Sequence, residues 1–107
     1  MTETYLTIHK QSNGIYKEKG SRFLSFALPV KDIEDVKTQL TAYKKEYHDA
    51  RHVCYAYMLG AEREEFRAND DGEPSGTAGR PILGQINSRG LTNVLVIVGR
   101  YLGGILL

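Results

Sequence analysis

The densest run of chemically capable residues lies between Asn69 and Pro81, where the chain reads Asn-Asp-Asp-Gly-Glu-Pro-Ser-Gly-Thr-Ala-Gly-Arg-Pro. Asp70, Asp71 and Glu73 place three carboxylates in one turn, directly ahead of Gly76, Thr77 and Gly79. Oxygen donors at that density could hold a hard divalent cation. The small residues from Gly76 to Gly79 could instead let anionic oxygens approach backbone amides at the start of a helix, where the dipole is positive. A third use is structural: Asp side chains bond nearby amides while the glycines supply unusual φ. The spacing matches neither a Walker loop nor an EF-hand. Composition favours the structural use over an anion site, and an anion site over a metal site.

Other candidates are more dispersed. His52 follows Arg51 at the head of an apolar run and could act as a base or contact phosphate. No Ser or Cys partner for it is visible, so a structural or surface histidine is the simpler reading. Cys54 alternates with tyrosines inside that run, as a buried, inert thiol does. Arg100 and Tyr101, just before Gly103-Gly104, could meet an anion held by the Gly-rich helix start. Pairing of Arg100 with the acidic loop is an equal alternative. Of the seven tyrosines, Tyr5, Tyr16, Tyr55, Tyr57 and Tyr101 could stack bases, although sheet packing explains most of them.

These residues need elements to position them. Alternation predicts strands over Tyr5–Lys10, Ile15–Lys19, Arg22–Val30 and His52–Leu59, with a hairpin turn at Asn13-Gly14. Pro29 marks a strand end. Asp32 caps a helix whose apolar stripe is Ile33, Val36, Leu40, Tyr43 and Tyr47; Lys37, Lys44, Lys45 and Glu46 form its solvated side. His52–Leu59 is apolar on both faces, as a central strand is. Phe66–Asn69 pairs back after a charged turn. A second helix runs from Gly79 to Ser88, with Pro81 in its first turn and Gly90 at its end. Leu91–Val98 contains the last clear strand. The order predicts an α+β fold, a mostly antiparallel sheet with helices on one face.

At 107 residues the chain is one domain. Its 14 Lys and Arg against 13 Asp and Glu create no overall field toward nucleic acid or membrane, so an RNA reading needs a local basic patch. A single cysteine allows no internal disulfide and fits a reducing cytosol. The start shows no signal-peptide pattern, and the most apolar stretch, Val94–Leu107, is short for a membrane span. A cytoplasmic protein is expected.

Taken together, Lys-Gly-Ser-Arg-Phe from Lys19, Ala-Arg-His-Val-Cys-Tyr-Ala-Tyr from Ala50, the Asp-Gly-Glu-Pro-Ser-Gly-Thr-Ala-Gly run and the segment Val94–Gly104 resemble the IMPACT/YigZ family. The resemblance covers nearly the whole chain. It implies the family's N-terminal domain, a two-layer sandwich like the second domain of a small-subunit ribosomal protein. Eukaryotic members regulate translation during amino-acid starvation, and no enzyme activity is established for the family as a whole. The family's signature positions fall on Arg22, His52, Asp70, Asp71, Glu73, Gly76, Thr77, Gly79, Arg100 and Tyr101, among others, and no cofactor is implied. Gly99 and Leu102 stand where the family commonly carries Val and Phe. The family's last helix and its C-terminal ferredoxin-like domain are expected to be missing.

Three functional expectations follow. The first is a binding or regulatory module tied to translation, contacting RNA, the ribosome or a protein through Arg22, His52, the acidic loop and Arg100. A homodimer or a partner would then cover the face left by the missing helix. The second is a metal-dependent hydrolase or phosphoryl-transfer enzyme, with Asp70, Asp71 and Glu73 on the metal and His52 as base. The third is an inert, truncated remnant.

Overall fold

The computed structural model describes residues 8, 10–18, 21–71 and 78–102. The element order is β1 (Ser12–Glu18), β2 (Ser21–Pro29), α1 (Ile33–Glu46), β3 (His52–Leu59), β4 (Glu65–Asn69), α2 (Gly79–Ser88) and β5 (Val94–Leu102). The strands form one sheet in the order β1-β2-β5-β3-β4. Every pairing is antiparallel. β5 therefore lies at the centre, and β3 is interior, as its two apolar faces require. The fold class is the expected α+β sandwich.

α1 begins where Asp32 accepts the Asp35 amide at 2.8 Å while the Asp35 carboxylate accepts the Lys31 amide at 3.2 Å. This reciprocal cap satisfies amides on both sides of the helix start. Lys44 and Lys45 sit in the last turn, where the helix dipole favours cations. The helix buries Val36 against Leu28, Tyr57, Leu95 and Ile97 of the sheet, with Ile33, Leu40 and Tyr43 packed around them.

The placement of α2 corrects one expectation. Its Ile86 packs with Ala56, Met58 and Val94, joined by Ile82 and Leu83. In β3 these are the residues that alternate with Val53, Tyr57 and Leu59, which face α1. Alternate residues of a strand point to opposite faces, so α1 and α2 lie on opposite faces of the sheet rather than sharing one. Strands β3 and β5 are apolar on both sides because each side meets its own helix.

The expected hairpin turn at Asn13-Gly14 is also corrected. Both residues lie inside β1, opposite Phe26 and Ser25. The two strands pair as far as Glu18 with Ser21. The Asn-Gly preference is local, whereas this register lets all seven residues of β1 pair with the strongly alternating β2. The strand expected over Tyr5–Lys10 lies mostly outside the described residues; Ile8, which is described, packs on the α2 side.

No described helix is long and apolar enough to cross a membrane.

Candidate functional site

The acidic segment is held down by its own carboxylates. Asp70 Oδ1 accepts the amides of Ala78 at 3.1 Å and Gly79 at 2.7 Å. The start of α2 has no cap from the adjacent Ala78 side chain, and Asp70 supplies it from nine residues upstream. The dipole that could have drawn an external anion already faces an internal carboxylate. Gly79 is required there: a Cβ would stand 2.6 Å from the Asn69 backbone nitrogen.

Asp71 performs a parallel task at the next strand. Its φ of 48° places it in the left-handed region, which Asp tolerates better than most residues. Its Oδ2 accepts the Val53 amide at 2.6 Å, and Asn69 Oδ1 accepts the Asp71 amide at 2.9 Å. The Asp71 carbonyl lies 2.6 Å from His52 Nδ1. A carbonyl can only accept, so the imidazole carries its proton on Nδ1. The buried Cys54 donates its thiol to the Asp70 carbonyl at 3.2 Å. Asp70, Asp71, His52, Cys54 and Gly79 are thus brought into one bonded cluster. Among the described residues, no group of three or more His, Cys, Asp or Glu is arranged to hold a metal. Glu73, Gly76 and Thr77, the remaining candidates of this loop, lie outside the described residues, as do Gly103 and Gly104.

The remaining candidates separate. Arg100 and Tyr101 both lie within β5, not beyond its end. Arg100 pairs with His52 of β3 and Phe23 of β2, and its guanidinium carbon is 5.9 Å from the Phe23 ring centroid. This row is on the α2 side of the sheet. Tyr101 and Arg22 are cross-strand partners on the α1 side, with the exposed Arg22 guanidinium 5.0 Å from the Tyr101 ring centroid. The predicted set is therefore two sets on opposite faces.

The α1 side carries a feature that sequence reasoning missed. Beside the C-terminal half of α1, a shallow cleft opens onto the sheet. Phe26, Tyr43, Tyr47 and Tyr101 line it with rings, and Leu24, Val53 and Ile97 complete the walls. Tyr43 and Tyr47 are stacked, with centroids 5.8 Å apart and 15° between planes. Phe26 lies 4.5 Å from the ring of Tyr43. The Tyr101 hydroxyl donates to Asp49 at 3.2 Å. Burial first, then this hydrogen bond and the Asp49 charge, raise the Tyr101 pKa. Gly99 leaves the cleft open: a Cβ there would meet only Ala50 Cβ at 3.9 Å and the Leu24 carbonyl at 4.0 Å. The available signal was this glycine interrupting an apolar strand, a pattern that marks close approach or an unfilled space.

Comparison with known proteins agrees with the architecture. Residues 19–107 match the family model of the Impact N-terminal domain. The IMPACT family member YigZ of Escherichia coli strain K12 is 40% identical over 91 residues, covering 83% of this chain and 45% of that protein. A crystal structure described as that of a hypothetical protein superposes with a TM-score of 0.91 at 35% identity, over 100% of this chain and 53% of the other. The structure of the two-domain translational regulator Yih1 shares the fold, with a TM-score of 0.65 at 22% identity over 95% of this chain and 41% of that one. The chain spans about half the length of YigZ and of that hypothetical protein. It belongs to the Impact N-terminal domain family.

Proposed function

We propose that this chain is a non-catalytic regulatory module of translation, acting in the cytoplasm by binding the ribosome or a factor associated with it. One observation carries the reading. The carboxylates of Asp70 and Asp71 are engaged by the amides of Gly79 and Val53, so the most acidic segment serves to join α2 to β3. Each of these carboxylates already accepts a backbone amide, which accounts for its place in the loop without a metal. Family membership adds support, as does a fold shared with a protein described as a translational regulator. The guanidinium groups of Arg22 and Arg100 suit phosphate or carboxylate partners, one on each face.

Thermal melting of the chain with Mg²⁺, Mn²⁺ or Zn²⁺ separates this reading from the metal-dependent enzyme. A ligand that binds only the folded state raises Tm in proportion to its occupancy. No rise is expected for the binding module. A saturable rise with any one ion, lost in Asp71→Asn, would favour the enzyme.

A further inference from the structure

Among the described residues, β1 is an outer strand of the sheet. It pairs with β2 one residue to one from Ser12 to Glu18, with neither a bulge nor a proline to blunt its free edge. The orientation of its backbone follows from β2. The Val30 amide bonds the Asn93 carbonyl at 3.0 Å and continues the register between β2 and β5. Backbone groups of successive residues in an antiparallel strand point to opposite edges. Even-numbered residues of β2 therefore face β5, and odd-numbered ones, Ser25 among them, face β1. Ser25 stands opposite Gly14, and its hydroxyl also lies 3.4 Å from the Gly14 carbonyl. Ser12, Gly14, Tyr16 and Glu18 thus bond β2, while Asn13, Ile15 and Lys17 turn their N–H and C=O groups to the open edge.

Ile15 is the midpoint of this strand. Its side chain is 70% exposed and stands opposite Leu24, which lines the α1-side cleft. The cluster under α1 draws on β2, β3 and β5, and the cluster under α2 on β3, β4 and β5; Ile15 belongs to neither. A large aliphatic side chain on an unblunted edge is the feature that strand addition uses.

We infer that β1 is a self-association edge, pairing antiparallel with β1 of a second copy about a two-fold axis at Ile15. The strand extends equally to either side of Ile15, so this axis pairs it along its whole length. The outward-facing residues are symmetric about the same point: Ile15 meets Ile15 of the other copy, and Asn13 meets Lys17. The remaining pairs are Ser12 with Glu18 and Gly14 with Tyr16, so no two like charges stand opposite each other. The other outer strand, β4, is shorter, and pairing it with itself along its full length would set Arg67 against Arg67. The β1 contact is isologous and stops at two copies.

Sedimentation equilibrium of the full chain over a wide concentration range tests this. A strand pair of seven residues is smaller than a standard interface, so the dimer should be reversible and concentration-dependent. Ile15→Lys should raise its dissociation constant about tenfold or more, because each dimer loses two apolar contacts and opposes two cations. Its melting temperature should hold, since Ile15 is exposed. Asn13→Pro removes an outward N–H without touching the ladder to β2, and should weaken the dimer as well; it decides the matter if Ile15→Lys fails to fold. Phe66→Lys, on the far edge, should leave the dimer unchanged. A monomer at every concentration would overturn the inference. So would a dimer that survives the folded Ile15 and Asn13 variants, or one lost equally in Phe66→Lys, the mark of β1 meeting β4 in an open chain.

Discussion

The Asp70 carboxylate accepts the Gly79 amide at 2.7 Å, across nine residues of chain. This bond, shared with the Ala78 amide, makes Asp70 the N-terminal cap of α2 from the end of β4. Asp70→Ala should cost about 1–2 kcal/mol, the usual value of a lost cap. Asp70→Asn keeps an acceptor oxygen and should recover most of it. Urea denaturation of the two variants checks this; equal losses would show that charge rather than the cap is responsible.

Two glycines of α2 should respond in opposite directions. Gly79→Ala forces a Cβ to 2.6 Å from backbone that cannot swing aside, and should destabilise by about 1–3 kcal/mol. At Gly84 nothing lies within 4 Å of the new Cβ, so Gly84→Ala should stabilise by about 0.5–1 kcal/mol through helix propensity. Denaturation midpoints of the pair test whether α2 is seated against β4 as described.

The elements were more legible in the sequence than their arrangement. β3 and α2 read cleanly because alternation over His52–Leu59 and the Gly79, Pro81 and Gly90 punctuation are local signals. Asn13-Gly14 misled because its turn preference is local while register depends on the whole of β2. The opposite placement of α1 and α2 was hidden: a strand apolar on both sides does not say which helix covers which side. The candidate site divided for a related reason. Arg100 and Tyr101 are neighbours in the chain, and the pleat sends them to opposite faces. Tyr43 and Tyr47 looked like an ordinary helix stripe, since nothing in their spacing reveals that the sheet beneath them is open at Gly99.

Alkaline pH should weaken the fold through its tyrosines. Burial is the largest cause raising the pKa of Tyr43, Tyr57 and Tyr101 above the ordinary value of 10.0. A group whose pKa is higher in the folded state contributes stability that is fully present below its unfolded pKa and lost as pH rises through the folded one. Stability should therefore hold through neutral pH and fall above about pH 10. Tyr101→Phe should flatten part of that decline. Urea midpoints across the alkaline range check it; a midpoint independent of pH there would contradict these burials.

Pelleting the purified full chain with ribosomes through a sucrose cushion over a salt series tests whether this domain acts in translation. The chain should enter the ribosomal pellet at low salt and be released as salt rises, with Asp70→Asn behaving like wild type. A chain that stays in the supernatant at every salt concentration, while folded, would contradict the assignment of this domain to the translation apparatus.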